Sequence, residues 1–171
     1  VPLVPRDLRL EVDERLYATG EVLTPLDEQS AAVAIDALNK AGVESIAVCL
    51  LHSYANAAHE QRLGELLRQK FPEAYVSLSH EILREFREYE RTSTTVINAY
   101  AGQVSKNYIE GLAELLKSSG YTGAVMIMQG YGGLLPAHEA ADRAIGMLEC
   151  GPAAGVIGSR ALGGLLQQPD V

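Results

Sequence analysis

The chain has 171 residues, 47% hydrophobic and 21% charged, which is enough apolar surface for one domain or two small ones and too much for a disordered chain. Its 14 Lys+Arg against 22 Asp+Glu leave a net charge of −8, which disfavours generic attraction to nucleic-acid backbones and anionic lipid. The longest apolar run, Ile46 to Leu51, is far short of the ~20 residues that span a bilayer, and no basic-then-apolar leader opens the chain, so the expectation is a cytoplasmic protein with no membrane or nucleic-acid partner.

Leu8 to Val12 alternates apolar and charged residues as a half-exposed strand does, and Gly20 marks a turn before Glu21-Val22-Leu23, so the opening reads as an extended or hairpin element. A helix is expected from Asp27, whose carboxylate can cap the first turn, with Ala31, Ala34, Ile35, Leu38 and Ala41 on one stripe and Gly42 as its end. Ile46 to Leu51 then reads as a strand covered on both faces. A second helix opens at Asn56 or Ala57 and runs through Lys70, stopped by Pro72, and Tyr75 to Leu78 is a further strand. Helix and strand alternating at this spacing predict right-handed crossovers onto a parallel or mixed sheet.

The charged segment Arg84 to Arg91 reads as a solvated face with one helical pair, Arg84 with Glu88, and as the best place for a boundary between two regions. Helical spacing resumes at Thr94 and lasts to Ser118, about 25 residues or roughly 37 Å, with a break conceivable at Gly102 and a left-handed cap at Gly120. Ala124 to Met128 is a short strand that runs into Gly130-Tyr131-Gly132-Gly133. A short helix over residues 137–142 and a last one from Pro152 to about Leu166 complete the series.

Two glycine-bearing turns are the most informative local features. At Gly151-Pro152-Ala153-Ala154-Gly155, proline suits a first helical turn and the small residues let a ligand or another backbone approach a helix N-terminus; phosphate contact and tight packing both satisfy the pattern. No Walker loop or GxGxxG accompanies it. Gly130 to Gly133 can converge its amides into an anion nest or serve as a flexible connection. His52, His59, His80 and His138 show no metal-ligand spacing, and His59-Glu60 and His80-Glu81 point apart as neighbours do. Cys49 and Cys150 form no CxxC pair; Cys49 reads as a small buried hydrophobe, and Cys150 precedes a helix N-terminus but has no base beside it.

Taken in order, several stretches resemble the hydantoinase A / 5-oxoprolinase family, which includes the related acetone carboxylase subunit. They are Leu50-Leu51-His52-Ser53-Tyr54, His59-Glu60, Ser79-His80-Glu81, Arg87 to Thr95 running into Asn98-Ala99-Tyr100, Met128 to Leu134, and Gly151 to Val156. The resemblance covers essentially the whole chain. It implies a larger enzyme of the actin/Hsp70/sugar-kinase ATPase type that uses ATP and Mg to activate a cyclic amide or ketone, by phosphorylation followed by attack of water in the amide-opening members. It also implies a hydantoinase B-like subunit or fused domain as partner and a small cyclic amide as substrate. The family's Asp-x-Gly-Gly-Thr phosphate loops do not occur here, Cys150 stands where the family more often has Ser, and Gly130-Tyr131 replaces Ser-Asn.

The combined expectation is an α/β fold, a mixed or parallel sheet with flanking helices plus one long helix, forming part of an actin/Hsp70-like ATPase. Residues 1–85 would be an α/β unit ending the hydantoinase/oxoprolinase N-terminal region, and residues 86–171 the start of the ATPase-like region. With the resemblance added, Gly132, Gly133, Gly151, Pro152 and Gly155 are expected to line a nucleotide cleft, with Arg91 a charged contact; no catalytic residue or metal ligand is assigned. A start at Val1 and an end at Val171 read as an internal fragment of an ATP-dependent cyclic-amide hydrolase, inactive alone. The alternatives are a non-catalytic subunit-docking module in residues 1 to about 85, an acetone-carboxylase-type subunit, and a hydrolase working through Cys150. Hydantoins, 5-oxoproline and ketones remain equal as substrates at this point.

Overall fold

The computed structural model describes residues 2–168. Its contacts divide the chain into two units, Val1–Gln103 and Val104–Val171.

In the first unit, β1 (Arg15–Leu16) and β2 (Val22–Thr24) form a small antiparallel hairpin around Gly20, whose φ of +90° a side chain would resist. The alternation at residues 8–12 does not become a strand. Arg6–Leu8 is a single 3-10 turn, and the stretch that follows is held by α1 instead, with Asp13 N donating to Ser30 Oγ and Asp27 N to Asp13 O. Helix α1 (Glu28–Ala41) starts and stops as expected: the Asp27 carboxylate accepts from Gln29 N at 2.8 Å, and Gly42 closes it in the left-handed region at φ +66°.

Strands β3 (Ser45–Val48) and β4 (Tyr75–Leu78) pair in parallel, in register from Ser45 opposite Tyr75 to Val48 opposite Leu78. They are joined through α2 (Ala58–Lys70). A helical crossover between parallel strands is therefore present, on a ladder of two strands. β3 stops at Val48 because the next amides leave the ladder: Leu50 N is taken by the Glu60 carboxylate, and a turn follows. Ala31, Ile35, Ile46, Val48, Leu63, Leu67, Phe71 and Leu78 make the core of this unit. The single turn α3 (Ser79–Ile82) follows β4 directly.

The long helix α4 (Glu88–Ser118) begins six residues before Thr94. Thr94 and Thr95 lie inside it, and Thr95 Oγ1 donates to the Arg91 carbonyl one turn back. Arg84 lies outside the helix, so the Arg84–Glu88 helical pair does not form; Arg84 Nε donates to Tyr54 O at 2.8 Å instead. There is no break at Gly102. A side chain there would collide with the Tyr75 ring, so the glycine serves close packing of α4 on β4, beside Asn98 Nδ2 donating to Ser77 Oγ at 2.9 Å.

In the second unit, β5 (Met126–Met128) and β6 (Leu134–Pro136) form an antiparallel hairpin, followed by α5 (Ala137–Asp142), a 3-10 turn at Ala144–Met147 and α6 (Cys150–Leu165). β6 has no counterpart in the sequence reading, because three residues are too short for a periodic signal. Ile109 of α4 packs with Ala137, Ala140 and Ala141 into a small core flanked by Val125, Ile127, Leu135 and Met147. Among the described residues the architecture is mixed α/β with three separate two-stranded sheets. Among the described residues, no helix is long and apolar enough to cross a membrane.

Candidate functional site

The two glycine-bearing turns come together in the second unit. The β5–β6 turn is closed by Gln129 N donating to Gly133 O at 2.8 Å and Gly132 N to Gln129 O at 3.0 Å, with Gly132 at φ +93°. Gly130 N donates to Gly146 O at 2.6 Å, tying this turn to the 3-10 turn just before α6. A side chain at Gly130 would strike the Leu148 carbonyl, and one at Gly146 would strike the Gln129 amide. A Cβ at Gly132 would lie 3.5 Å from Ile157 on α6. These glycines are therefore needed to let three backbone segments approach one another.

Helix α6 starts two residues earlier than expected, at Cys150, so Pro152 is its third residue and not its first. The placement is still tolerated, since the third amide also lacks a partner within the helix. Ala153 N donates to Glu149 O, which leaves the amides of Cys150 and Gly151 as the donors at this end. Gly151 and Gly155 have nothing within 4 Å of where a Cβ would sit, and Gly151, Pro152 and Gly155 are all exposed. Glu149 occupies the cap position at φ +58°, without capping through its side chain. The end of α6 is thus open, carries two free amides and the positive pole of a helix, and meets a glycine turn on one side. Such an arrangement can take an oxyanion.

Sequence reasoning missed Gln129, which is fully buried; its Nε2 donates to Ile127 O at 3.1 Å and its Oε1 has no hydrogen-bond partner. Only its place just before the glycines hinted at it. Gly146 gave no sequence signal.

Arg91 lies in the first unit and is 1% exposed. Nη1 donates to Glu85 O and Nη2 to Leu50 O, both at 2.8 Å, and the guanidinium stacks 5.5 Å over the Tyr54 ring. Its charge is therefore directed inward. Beside it lies a polar cluster that adjacency in sequence could not reveal. Glu60, fully buried, accepts from Leu50 N, Ser79 Oγ, His80 N and His80 Nδ1 at 2.7–3.0 Å, and Ser79 Oγ meets Ser53 Oγ at 3.0 Å. His59 pairs with Glu14 at 2.7 Å and not with Glu60. The available signal was helical phase, since Glu60 shares a stripe with Leu63 and Leu67. His80 and Glu81 are 4.0 Å apart, and His138 is on the surface.

Cys49 sits just beyond β3 and burial pushes its thiol up to about 11, so it is protonated and inert at neutral pH. Cys150 is half-buried at the start of α6, and no histidine or carboxylate is hydrogen-bonded to its sulfur among the described residues. No group of three or more His, Cys, Asp or Glu side chains could hold a metal ion among the described residues.

The open, glycine-lined N-terminus of α6 suits an oxyanion without naming one. Comparison with known proteins narrows it. Residues 1–71 match the family described as Hydantoinase/oxoprolinase N-terminal region, and residues 91–171 match the family described as Hydantoinase/oxoprolinase. The chain belongs to the hydantoinase/oxoprolinase family. It is 37% identical over 151 residues to the caprolactamase subunit alpha of Pseudomonas jessenii, covering 88% of this chain and 22% of that one. Its structure is similar to nucleotide-free acetone carboxylase, an ATP-dependent system, with TM-score 0.88 and 30% identity over 98% of this chain and 24% of the other. It is likewise similar to the ATP-dependent caprolactamase of Pseudomonas jessenii, with TM-score 0.80 and 32% identity over 95% of this chain and 24% of the other. The chain thus spans about a quarter of the length of these relatives.

Proposed function

We propose that this chain is a section of an ATP-dependent enzyme of the hydantoinase/oxoprolinase type and forms one wall of its nucleotide cleft. The observation that carries the reading is the open first turn of α6, with unpaired amides at Cys150 and Gly151, clear space at Gly151 and Gly155, and the Gly130–Gly133 turn fastened beside it. Phosphate oxygens of ATP are the chemistry that fits two amides at a helix N-terminus. Gly132, Gly133, Gly151, Pro152 and Gly155 line this wall. Arg91 is the weakest member of the set, because its guanidinium is spent on backbone carbonyls. The described residues do not fit a magnesium ion, and none is assigned to one.

On this reading residues 1–85 end an N-terminal α/β region and residues 86–171 begin an actin/Hsp70-like ATPase region. The parent enzyme opens a cyclic amide after ATP activates it, working with a hydantoinase B-like partner in the cytoplasm. Caprolactamase among the relatives supports the amide, and the acetone carboxylase likeness supports a ketone as the second reading. The test is ATP turnover by the 171-residue chain, alone and after mixing with the remaining polypeptide of the enzyme. The expected result is no hydrolysis by the chain alone and hydrolysis on reconstitution that falls when Gly151 is replaced by Val. Robust turnover by the chain alone, or full activity of the reconstituted Gly151→Val variant, overturns the proposal.

A further inference from the structure

The β3–β4 sheet is too narrow for the helices that cover it. On one face Ile46, Val48 and Leu78 share a core with Ala31 and Ile35 of α1 and with Leu63 and Leu67 of α2. On the other, the Tyr75 ring lies against Gly102 of α4, and Asn98 Nδ2 of the same helix donates to Ser77 Oγ at 2.9 Å. Ion pairs Arg62–Glu28 at 2.7 Å and Lys70–Asp36 at 3.2 Å, about two turns apart on each helix, set α1 and α2 side by side. Two neighbouring helices at the usual spacing of roughly 10 Å are about 20 Å wide, the width of about four strands at roughly 4.8 Å each; the ladder has two. Helix α2 lies over β4, where a side chain at Gly64 would strike Leu78. Its neighbour α1, in the core shared with Ile46 and Val48, lies toward β3 and overhangs the outer edge of that strand.

That edge is open. Tyr75 N donates to Glu44 O at 3.0 Å, which fixes the alternation along the ladder: Ile46 and Val48 turn their backbone groups to β4, and Ser45 and Ala47 turn theirs away. Neither Ser45 nor Ala47 has a backbone partner on the outer side among the described residues, and both are half-buried. On β4, Tyr75, Ser77 and Leu78 are 6% exposed or less, so the closed side is β4 and the open one β3. Ser45-Ile46-Ala47-Val48 also carries no charge, proline or bulge, the devices that guard a strand meant to remain an edge.

We propose that the outer edge of β3 is a docking site for a further β-strand, supplied by the part of the enzyme outside this chain. Backbone donors and acceptors at Ser45 and Ala47 call for an extended segment. Helices on both faces call for aliphatic side chains on both sides of it, as in the interior of a parallel sheet. The occupant follows from length, since the chain spans about a quarter of its relatives and three quarters of the polypeptide is left to supply the strand. The proposal rests on the reading above only in taking the chain as a section of a longer enzyme, and no nucleotide enters it.

The test is residue-resolved amide hydrogen exchange of the 171-residue chain at two concentrations, and of the enzyme reconstituted from this chain and its remaining polypeptide. In the chain alone, the Ser45 and Ala47 amides are expected to exchange at least about tenfold faster than those of Ile46 and Val48, and reconstitution is expected to slow them to the range of Ile46. Ser45→Pro deletes one outward donor at the first residue of the strand, where proline is tolerated, and leaves the β3–β4 hydrogen bonds in place. It is expected to weaken association with the remaining polypeptide by about fivefold to tenfold, the usual worth of one backbone hydrogen bond, without lowering the melting temperature of the chain alone. The proposal is overturned by Ser45 and Ala47 amides already as slow as Ile46 in the chain alone, by slowing that grows with chain concentration and so marks a second copy, or by no change on reconstitution. A reconstituted enzyme with the β3 edge protected but no ATP turnover supports it and counts against the nucleotide wall alone.

Discussion

Glu60 accepts hydrogen bonds from four groups, and it does so fully buried. Replacing Glu60 by Ala takes the shared carboxylate away from Leu50 N, Ser79 Oγ, His80 N and His80 Nδ1; a loss of about 3–5 kcal/mol is expected in chemical denaturation. A loss under about 1 kcal/mol would mean that water replaces the carboxylate without cost. Cys49 gives a pH-dependent prediction. Its thiol is pushed up to about 11 in the folded chain, chiefly by burial, against an ordinary value of 9.0. Between those values the unfolded chain loses a proton that the native chain keeps, so the Cys49 contribution to stability is complete below pH 9 and declines as pH rises toward 11. Cys49→Ala should flatten that part of the stability curve relative to the parent, as read by melting temperature from pH 8 to 11. At this scale sequence reading recognised that His59-Glu60 and His80-Glu81 were not working pairs, but not that Glu60 and His80 meet, since twenty residues and a crossover separate them.

Among the elements, α1 was legible at both ends because its signals are local: a carboxylate reaches an amide two residues on, and a glycine supplies a positive φ. The start of α4 was not, because the charged segment before Thr94 has no clean apolar stripe and its helical part is fixed by where Arg91 is buried. The glycines inside α4 also read alike in sequence and differ in space. Gly102 lies under the Tyr75 ring, whereas Gly111 has nothing within 4 Å of a Cβ. Gly111→Ala is expected to stabilise the chain by about 0.5–1 kcal/mol through helix propensity. Gly102→Ala gains the same propensity but forces Tyr75 to move, and should destabilise by about 1–3 kcal/mol. Equal melting temperatures for the two variants would contradict the packing described. Helix α6 contrasts with both: only Gly163 is buried along it, and Val156 and Leu165 are 71% and 82% exposed.

For the whole molecule, the chain belongs to its family and spans about a quarter of the length of its relatives, so on the proposed reading it holds only part of a nucleotide site. Two amides at a helix end, without a cationic side chain on the phosphate, form a weak site on their own. A ligand present at its own Kd stabilises the native state by only about 0.4 kcal/mol, so a small or absent thermal shift with ATP and a large one after the rest of the enzyme is added is the expected pattern. The amino-acid sequence alone determined the α/β class, the helix boundaries set by local caps, a crossover onto a parallel or mixed sheet, and the family, because propensity, periodicity and ordered motifs are properties of neighbouring residues. Tertiary structure alone decided that the Gly130 and Gly151 turns share one location, that Arg91 faces inward, and that the strained turn at His52 is held by groups as far along the chain as Arg91. Those outcomes depend on which surfaces meet once the chain has closed its crossovers, and no local interaction carries that information.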